Sequence, residues 1–174
     1  MTTSWTIYES PLGPLTVIAG ASGMSRIRFP GSDERLDEAG RRPAAFAVAT
    51  EQLDEYFAGD RQAFELDLDL SAGTAFQRKV WVQLRVIPYG TTVSYGDLAR
   101  AIGRPDRLRA VAATVGRTPV PIVIPCHRVI GADGSLTGYG GGLHRKQALL
   151  ELEARGAAGQ APEPAWAFRQ LTLS

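Results

Sequence analysis

The stretch SYGDLARAIGRPDRLRAVAATVG, residues 94–116, predicts two short helices joined by a tight turn. Ser94 followed by Asp97 has the pattern of a capping box, and the helix that it opens continues to the Gly-Arg-Pro that stops it. Asp106 is placed to cap a second helix, which ends at Gly116. The residues expected to face the core in that helix are Leu108, Val111, Ala112 and Val115. Two short helices joined by a glycine-containing turn are the outline of a helix-turn-helix.

The outer face of the second helix is small and almost uncharged. Ala110, Ala113 and Thr114 are expected opposite the buried stripe. Arg107 lies beside them and Arg109 lies on the flank. Small residues let a helix axis approach another surface closely, and flanking arginines suit phosphates or a groove. This pattern favours contact with a nucleic acid, and the alternative is a helix packed against another part of the same protein.

The charge of the chain changes sign along its length. The formal net charge is +1, but residues 1–74 carry 6 basic and 12 acidic side chains, whereas residues 75–128 carry 9 and 2. Residues 129–174 are balanced, with 4 of each. A basic middle part indicates a surface that faces a polyanion, and the alternative is a solvated surface that happens to be basic.

Residues 1–70 predict a small α+β unit. Apolar residues recur at helical spacing from Phe46 to Phe57, before Gly59. In residues 64–70, FELDLDL, apolar and acidic residues alternate, which predicts a strand with one wet face. The other predicted strands are WTIY (residues 5–8), LTVIA (15–19) and MSRIRF (24–29).

The composition changes at Thr74, after a short linker, SAGT. Thr74 with Gln77 predicts a capping box. The helix that follows would bury a stripe formed by Phe76, Val80, Trp81, Leu84 and Ile87. The predicted organisation is an N-terminal α/β domain (1–70), the linker (71–74), a mostly helical domain with the helix-turn-helix (75–156) and an extended tail (157–174).

The single cysteine lies in VPIVIPCHRVIG, residues 120–131. A lone Cys in an apolar stretch is usually structural. Here Pro125 imposes an irregular backbone before Cys126, and His127 and Arg128 supply a proton acceptor and a cation beside it. These neighbours make a reactive thiol plausible, with His127 as the candidate base. A catalytic His is usually oriented by a third group, and the downstream carboxylates that remain open for this role are Asp133, Glu151, Glu153 and Glu163.

Other classes of protein are disfavoured by composition. One Cys excludes an internal disulfide, and one Cys with two His cannot build a closed structural zinc site of the usual kind. The N-terminus lacks the features of a signal peptide, and no apolar run reaches the length of a membrane span. We therefore expect a cytoplasmic protein in a reducing compartment, without contact with a membrane.

PCHRVIG, preceded by TPVPIVI and followed by LTGYGGGLHRK, resembles the active-site signature of the O6-alkylguanine-DNA alkyltransferases, the methylated-DNA–protein-cysteine methyltransferases. The resemblance continues upstream through FQRKVWVQLRVIPYGTTVSYGDLARAIG and RAVAATVG, and SPLGPLTV resembles the N-terminal domain of the family more weakly. It implies a ribonuclease-H-like N-terminal domain and a C-terminal domain whose helix-turn-helix enters the minor groove of DNA.

The resemblance also implies a reaction. The thiolate of Cys126 would attack the alkyl carbon of O6-alkylguanine and form a thioether, so each molecule would react once. His127 would take the thiol proton through a water, and Glu153 would orient His127. Tyr95 would protonate or polarise the departing guanine, and Arg109 would fill the gap left by the flipped base.

The implied surroundings complete this prediction. Val129, Tyr139 and the backbone at Gly140 would form the base pocket, with Arg128 beside them. The residues implied to contact DNA are Arg107, Arg109, Ala110, Ala113, Thr114, Arg117 and Thr118. The partner would be duplex DNA containing O6-alkylguanine, bound by a protein that is monomeric in solution and able to cluster on DNA. No metal or cofactor is implied.

One residue departs from the pattern of the family, which usually has Asn where this chain has Thr118. A hydroxyl cannot replace all the hydrogen bonds of an amide, so part of the hydrogen-bond network of that turn must be lost, supplied by Arg117 or filled by water. The rival hypothesis is a non-catalytic sensor of alkylated DNA, a class in which the cysteine is replaced, whereas this chain retains Cys126. A cysteine hydrolase is a third interpretation, but the sequence gives no sign of an oxyanion hole.

Overall fold

The computed structural model describes residues 3–32 and 34–159. The N-terminal domain is a three-stranded antiparallel meander of β1 (Ser4–Ser10), β2 (Gly13–Gly20) and β3 (Gly23–Arg28), covered by α1 (Ala47–Phe57). Tyr8 pairs with Leu15, and Val17 pairs with Ile27. These residues are buried because alternate side chains of each strand face α1. The three strands and the helix are as the sequence predicts.

The prediction of a fourth strand at residues 64–70 is wrong. The segment is extended and its burial alternates, but it makes a single bridge, between Met24 and Leu68. Nearer the start of the segment, the side chain of Gln52 accepts from the Glu65 N–H at 2.9 Å and donates to the Glu65 carbonyl at 3.2 Å. The alternating pattern therefore identified an extended backbone, whose hydrogen bonds are divided between Met24 of β3, which bonds to Asp67 and Asp69, and the side chain of Gln52.

The second domain is mostly helical. Its elements are α2 (Ala75–Leu84), β4 (Val93–Ser94), α3 (Tyr95–Ala101), α4 (Leu108–Gly116), β5 (Val129–Ile130) and α5 (Leu143–Ala157). Both predicted capping boxes are present, Thr74 with Gln77 and Ser94 with Asp97. Asp106 does not cap α4, because a short 3-10 turn precedes the helix and the carboxylate of Asp106 pairs with Arg104 at 3.1 Å. The α3–turn–α4 unit is the expected helix-turn-helix.

The orientation of α4 differs from the prediction. Val111 and Val115 are buried as expected, but Leu108 is 46% exposed, whereas Thr114 is only 5% exposed. The Thr114 hydroxyl donates to the Ala110 carbonyl at 2.8 Å, and its own carbonyl accepts the indole N–H of Trp81 at 3.2 Å. Thr114 therefore packs toward α2 and does not lie on the outer face, which corrects its assignment as a residue that contacts DNA.

The two domains share one continuous apolar core. Backbone hydrogen bonding also crosses between them, because the Ile27 N–H of β3 donates to the Pro119 carbonyl at 2.9 Å. The fold is thus α+β, with the small sheet packed beside the segment that follows α4. Within residues 3–32 and 34–159, no helix is long and apolar enough to span a membrane. The part of the predicted tail beyond residue 159 lies outside the described residues.

Candidate active site

The only cysteine is held by a tight, buried turn. Residues 120–129 are buried throughout. Ile122 has φ of 75°, and among the described residues it is the one non-glycine residue in this region of backbone space. A β-branched residue seldom adopts such a backbone, so the surrounding packing must hold the turn in place. Farther along, the Cys126 N–H donates to the Ile124 carbonyl at 2.7 Å and begins the 3-10 turn Cys126–Arg128. The thiol therefore has a fixed position.

The thiol lines a cavity of about 330 Å³, although Cys126 is only 4% exposed. A volume of this size is at the lower end of that of small-molecule sites. One wall is the end of α4 and the turn after it, and a second is the glycine-rich loop with Tyr139 and Gly140, as the sequence predicts. A third wall, residues 27–32, comes from the N-terminal domain and was not expected.

Two predicted pocket residues do not line this cavity. Val129 is fully buried and pairs with Val93 in the short parallel bridge between β4 and β5. Arg128 is also buried, and its guanidinium points into the interior toward Glu153. Arg128 belongs to the 3-10 turn, whose residues point in different directions, and Val129 is held in β5, so neither side chain reaches the pocket. Both assignments are corrected.

Glu153 of α5 receives hydrogen bonds from several parts of the chain. His127 Nε2 lies 2.5 Å from Glu153 Oε2, and Arg128 Nε donates to Oε1 at 2.6 Å. Tyr56 of α1 donates its hydroxyl hydrogen to Oε2 at 2.8 Å, and the Gly90 N–H donates to Oε1 at 3.3 Å. Of the downstream carboxylates left open by the sequence, Asp133, Glu151 and Glu153 lie in the described part of the chain, and among these Glu153 is the one that contacts His127. Glu163 lies outside the described residues.

The charge of Glu153 is maintained by these contacts. Burial raises the pKa of the carboxyl group, but the hydrogen bonds and charges of His127 and Arg128 outweigh burial and hold the pKa at about 2. An ionised carboxylate accepts a hydrogen from His127 Nε2, so whenever the imidazole is neutral its lone pair is on Nδ1. His127 Nδ1 is buried without a hydrogen-bond partner in the described part of the chain. It is therefore able to receive a proton.

The thiol itself is protonated at neutral pH. Burial raises the pKa of Cys126 to about 11, while the Thr118 hydroxyl, the Lys146 ammonium group and two backbone N–H groups act in the opposite direction. A thiol of this kind is inert until its proton is removed, so its reactivity depends on the neighbouring base. Thr118 lines the same cavity, and its hydroxyl donates to the Val115 carbonyl at 2.7 Å.

Sequence reasoning missed Lys146 and Tyr56. Lys146 is fully buried, and its ammonium group donates to the carbonyl groups of Val129 at 2.6 Å and Thr137 at 2.9 Å. In the sequence, this Lys opens a helix beside other polar residues and resembles a surface cation. Tyr56 lies 97 positions from Glu153 along the chain, so no local pattern could have linked them. Both residues join the site only through tertiary packing.

A wider depression of about 610 Å³ opens on the exposed side of α4. It is lined by Tyr95, Leu108, Arg109 and Ala112, and by the loop 137–140. Gly116 and residues 138–140 line both this depression and the thiol cavity, so the two spaces adjoin. The Tyr95 hydroxyl, at the depression, donates to the Thr137 carbonyl at 3.2 Å.

The remaining predicted DNA contacts lie on or near α4. Arg109 and Ala113 are exposed, and Ala110 is half-buried. The Arg107 guanidinium lies 4.9 Å from the centre of the Phe76 ring, in a cation–π contact that fixes its direction. Arg117 is exposed after the helix. Among the described residues, no group of three or more His, Cys, Asp or Glu side chains is arranged to hold a metal ion.

Comparison with known proteins connects this site to one family. Residues 4–70 match the ribonuclease-like domain of 6-O-methylguanine DNA methyltransferase, and residues 75–155 match its DNA-binding domain. The methylated-DNA–protein-cysteine methyltransferase of Mycobacterium tuberculosis is 49% identical over 150 residues, covering 83% of this chain and 88% of that protein. The protein of the same name from Methanosarcina acetivorans is 41% identical over 152 residues, covering 86% and 97%.

The same relationship holds for the fold. The crystal structure of Mycobacterium tuberculosis OGT in complex with DNA superposes with a TM-score of 0.83 at 44% sequence identity, and the match covers 99% of each chain. The chain therefore belongs to the 6-O-methylguanine DNA methyltransferase family and is a DNA repair enzyme that acts by alkyl transfer to a protein cysteine.

Proposed function

We propose that the protein transfers the alkyl group of O6-alkylguanine in duplex DNA, mainly O6-methylguanine, irreversibly to its own Cys126. The observation that carries this proposal is the fixed thiol in a cavity, followed in the chain by a His that contacts an ionised, buried Glu. We further propose that it acts as a cytoplasmic monomer, able to cluster on DNA, and that each molecule reacts once, because a thioether offers no easy leaving group.

The proposed chemistry uses side chains of this chain alone. His127 Nδ1 takes the thiol proton through a water, and Glu153 stabilises the imidazolium ion that results. The thiolate then attacks the alkyl carbon, so a C–S bond forms while the bond between the carbon and O6 breaks. The electron pair of the broken bond goes to the guanine, and the Tyr95 hydroxyl donates a hydrogen bond or a proton to this leaving group.

The adjoining cavities support base flipping through the minor groove. The O6 substituent cannot reach Cys126 while the base is stacked, so the nucleotide must leave the duplex. The depression between Tyr95 and Arg109 provides an apolar entry on the face of α4, and it borders the thiol cavity at Tyr139 and Gly140. Arg109 is exposed at this entry, which supports the proposal that its side chain fills the gap in the stack.

The interaction with DNA is supported by the composition of this face. Ala112 and Ala113 of α4 are small, which allows close approach to a narrow groove. A solved relative, Mycobacterium tuberculosis OGT, binds DNA. We therefore assign Arg109, Ala110 and Ala113 to the interface, with Arg107, Arg117 and Thr118 nearby.

The competing function is a sensor that binds alkylated DNA without reacting. Intact mass spectrometry separates the two after the protein is mixed with a duplex that contains O6-methylguanine. We expect a gain of one methyl group in the native protein and none in Cys126→Ala. Tight binding without any change in mass would contradict alkyl transfer and favour the sensor.

A further inference from the structure

We propose that Phe29, in the N-terminal domain, sets the size of the alkyl group that this chain accepts. This inference rests on the proposed function, because it concerns which substrates reach Cys126. Phe29 directly follows β3, and the wall that it forms with residues 30–32 belongs to the same cavity as the thiol. The N-terminal domain would then be part of the substrate pocket, as well as a support for the helical domain.

The Phe29 ring contacts the opposite part of the pocket wall. Its centre lies 5.6 Å from that of Tyr139, with the rings inclined at 62°, an edge-to-face contact. Tyr139 belongs to the glycine-rich loop, so this pair joins the N-terminal domain to the loop across the cavity margin. Both rings line the cavity, and both take up space that a substituent on the guanine would otherwise occupy.

The Phe29 ring is also prevented from moving aside. The Arg145 guanidinium lies 5.6 Å from the centre of the ring. Arg145 is anchored on both domains, since Nε donates to the Leu12 carbonyl at 2.9 Å and Nη1 donates to the Gly141 carbonyl at 2.8 Å. A Cβ at Gly141 would lie 2.8 Å from the ring, so Phe29 packs directly on this glycine. The ring is therefore held between Arg145 and the loop.

A fixed wall discriminates by volume. One methylene group too many in an apolar pocket changes the reaction rate by roughly 10-fold to 200-fold. A methyl group is the smallest O6-alkyl substituent, so its reaction should depend least on the volume of the cavity. Four residues of the wall, Gly31, Gly116, Gly138 and Gly140, have no side chain to shorten. Phe29 and Tyr139 are the two aromatic side chains of the wall, and Phe29 is the one that the N-terminal domain contributes, so its size should affect bulky substituents more than methyl.

The alternative is that Phe29 only packs the two domains together. In that case, shortening its side chain would slow the reaction of every substrate by the same factor. A role in specificity instead changes the ratio of the rates, because the enzyme with a larger pocket gains bulky substrates and keeps the small one. The ratio is therefore the quantity to measure.

The experiment compares the rates at which duplexes carrying O6-methylguanine and O6-benzylguanine alkylate the full-length protein. For Phe29→Ala we expect the ratio of the benzyl rate to the methyl rate to rise by about tenfold or more, and for Phe29→Trp we expect it to fall. Phe29→Leu keeps an apolar side chain and replaces the Ala variant if that variant does not fold. Phe64→Ala is the control, because Phe64 contacts Tyr56 in the same domain and does not line the cavity.

The outcomes separate this inference from the proposed function. If the native protein is alkylated by O6-methylguanine but no Phe29 variant changes the ratio beyond that of Phe64→Ala, the inference is overturned. If the native protein is not alkylated at all, the proposed function itself is wrong.

Discussion

Thr118 has one hydroxyl hydrogen and two acceptors that compete for it. The hydroxyl donates to the Val115 carbonyl at 2.7 Å, and a hydrogen bond from the same group lowers the pKa of Cys126. An amide with two hydrogens would serve both acceptors, whereas a hydroxyl must choose. We therefore expect that ionisation of the thiol draws the Thr118 hydrogen away from the Val115 carbonyl, which would couple the reacting sulfur to the end of α4.

Replacing Thr118 with Val should make the thiol harder to ionise. We expect the pKa of Cys126 to rise by about one unit, the effect of losing a hydrogen bond to a charged group. The rate of thiol alkylation by iodoacetamide, measured against pH, reports this pKa directly. Thr114→Val is the matched control, because its hydroxyl also donates to a carbonyl of α4 but is absent from the thiol cavity. Equal pH profiles for the native protein and Thr118→Val would contradict this role.

We expect Arg109 of α4 to contribute to the reaction rate only when the substrate is duplex DNA. Arg109→Ala should reduce repair of duplex DNA by about tenfold or more and leave the reaction with free O6-benzylguanine nearly unchanged, since only the duplex requires a base to be flipped. Single-turnover rates on the two substrates give this comparison. Equal losses on both would show that Arg109 supports the fold or the chemistry instead.

The contact between α1 and α5 links the N-terminal domain to the proton relay. The Tyr56 hydroxyl donates to the same carboxylate oxygen of Glu153 that contacts His127. In Tyr56→Phe, Glu153 loses a donor, so its carboxylate becomes more basic and holds protonated His127 more strongly, which leaves less of the neutral base at a given pH. We expect a slower alkylation by severalfold and a shift of the pH–rate profile to higher pH.

A matched variant separates this positioning role from a general loss of stability. Tyr8 also donates to a carboxylate of α1, Asp54, at 2.7 Å, but neither residue lines the thiol cavity. Tyr8→Phe should lower the free energy of unfolding without moving the pH–rate profile. Identical profiles for Tyr56→Phe and the native protein would mean that the interdomain hydrogen bond serves only folding.

Local sequence patterns predicted some elements and failed for others for physical reasons. In both capping boxes the hydrogen bonds join residues that are three positions apart, so the sequence alone was sufficient to predict them. The predicted orientation of α4 was wrong at Thr114, because a threonine is compatible with either face of a helix. The packing of Trp81 against α4 determines which face is buried. Long-range contacts such as Tyr56 with Glu153 leave no periodic signal at all. At the site, Cys126 and His127 could be identified from their adjacency in the sequence. The directions in which the side chains of Val129 and Arg128 point could not be predicted.

The buried ion network should make the stability of the whole molecule depend on acid. The pKa of Glu153 is about 2 in the folded protein and is ordinarily 4.5, so its ionised form stabilises the fold above about 4.5. This contribution is lost as the pH falls from about 4.5 through about 2. Urea unfolding at several pH values in this range measures the change.

Glu153→Gln tests the same network at neutral pH. The substitution leaves Arg128 buried without its counter-ion, so we expect the free energy of unfolding to fall by roughly 3 to 5 kcal/mol. The part of the acid dependence that Glu153 provides should also disappear. A variant as stable as the native protein at pH 7, with the same decline in acid, would contradict this assignment.

The central claim is that the protein is consumed by its own reaction at one thiol. The most direct measurement is the number of methyl groups removed per protein molecule when duplex O6-methylguanine is in large excess, followed by peptide mass mapping. We expect a plateau at one methyl group per molecule, carried by the peptide that contains Cys126. Continued removal beyond one equivalent, or a methyl group on any other residue, would contradict it.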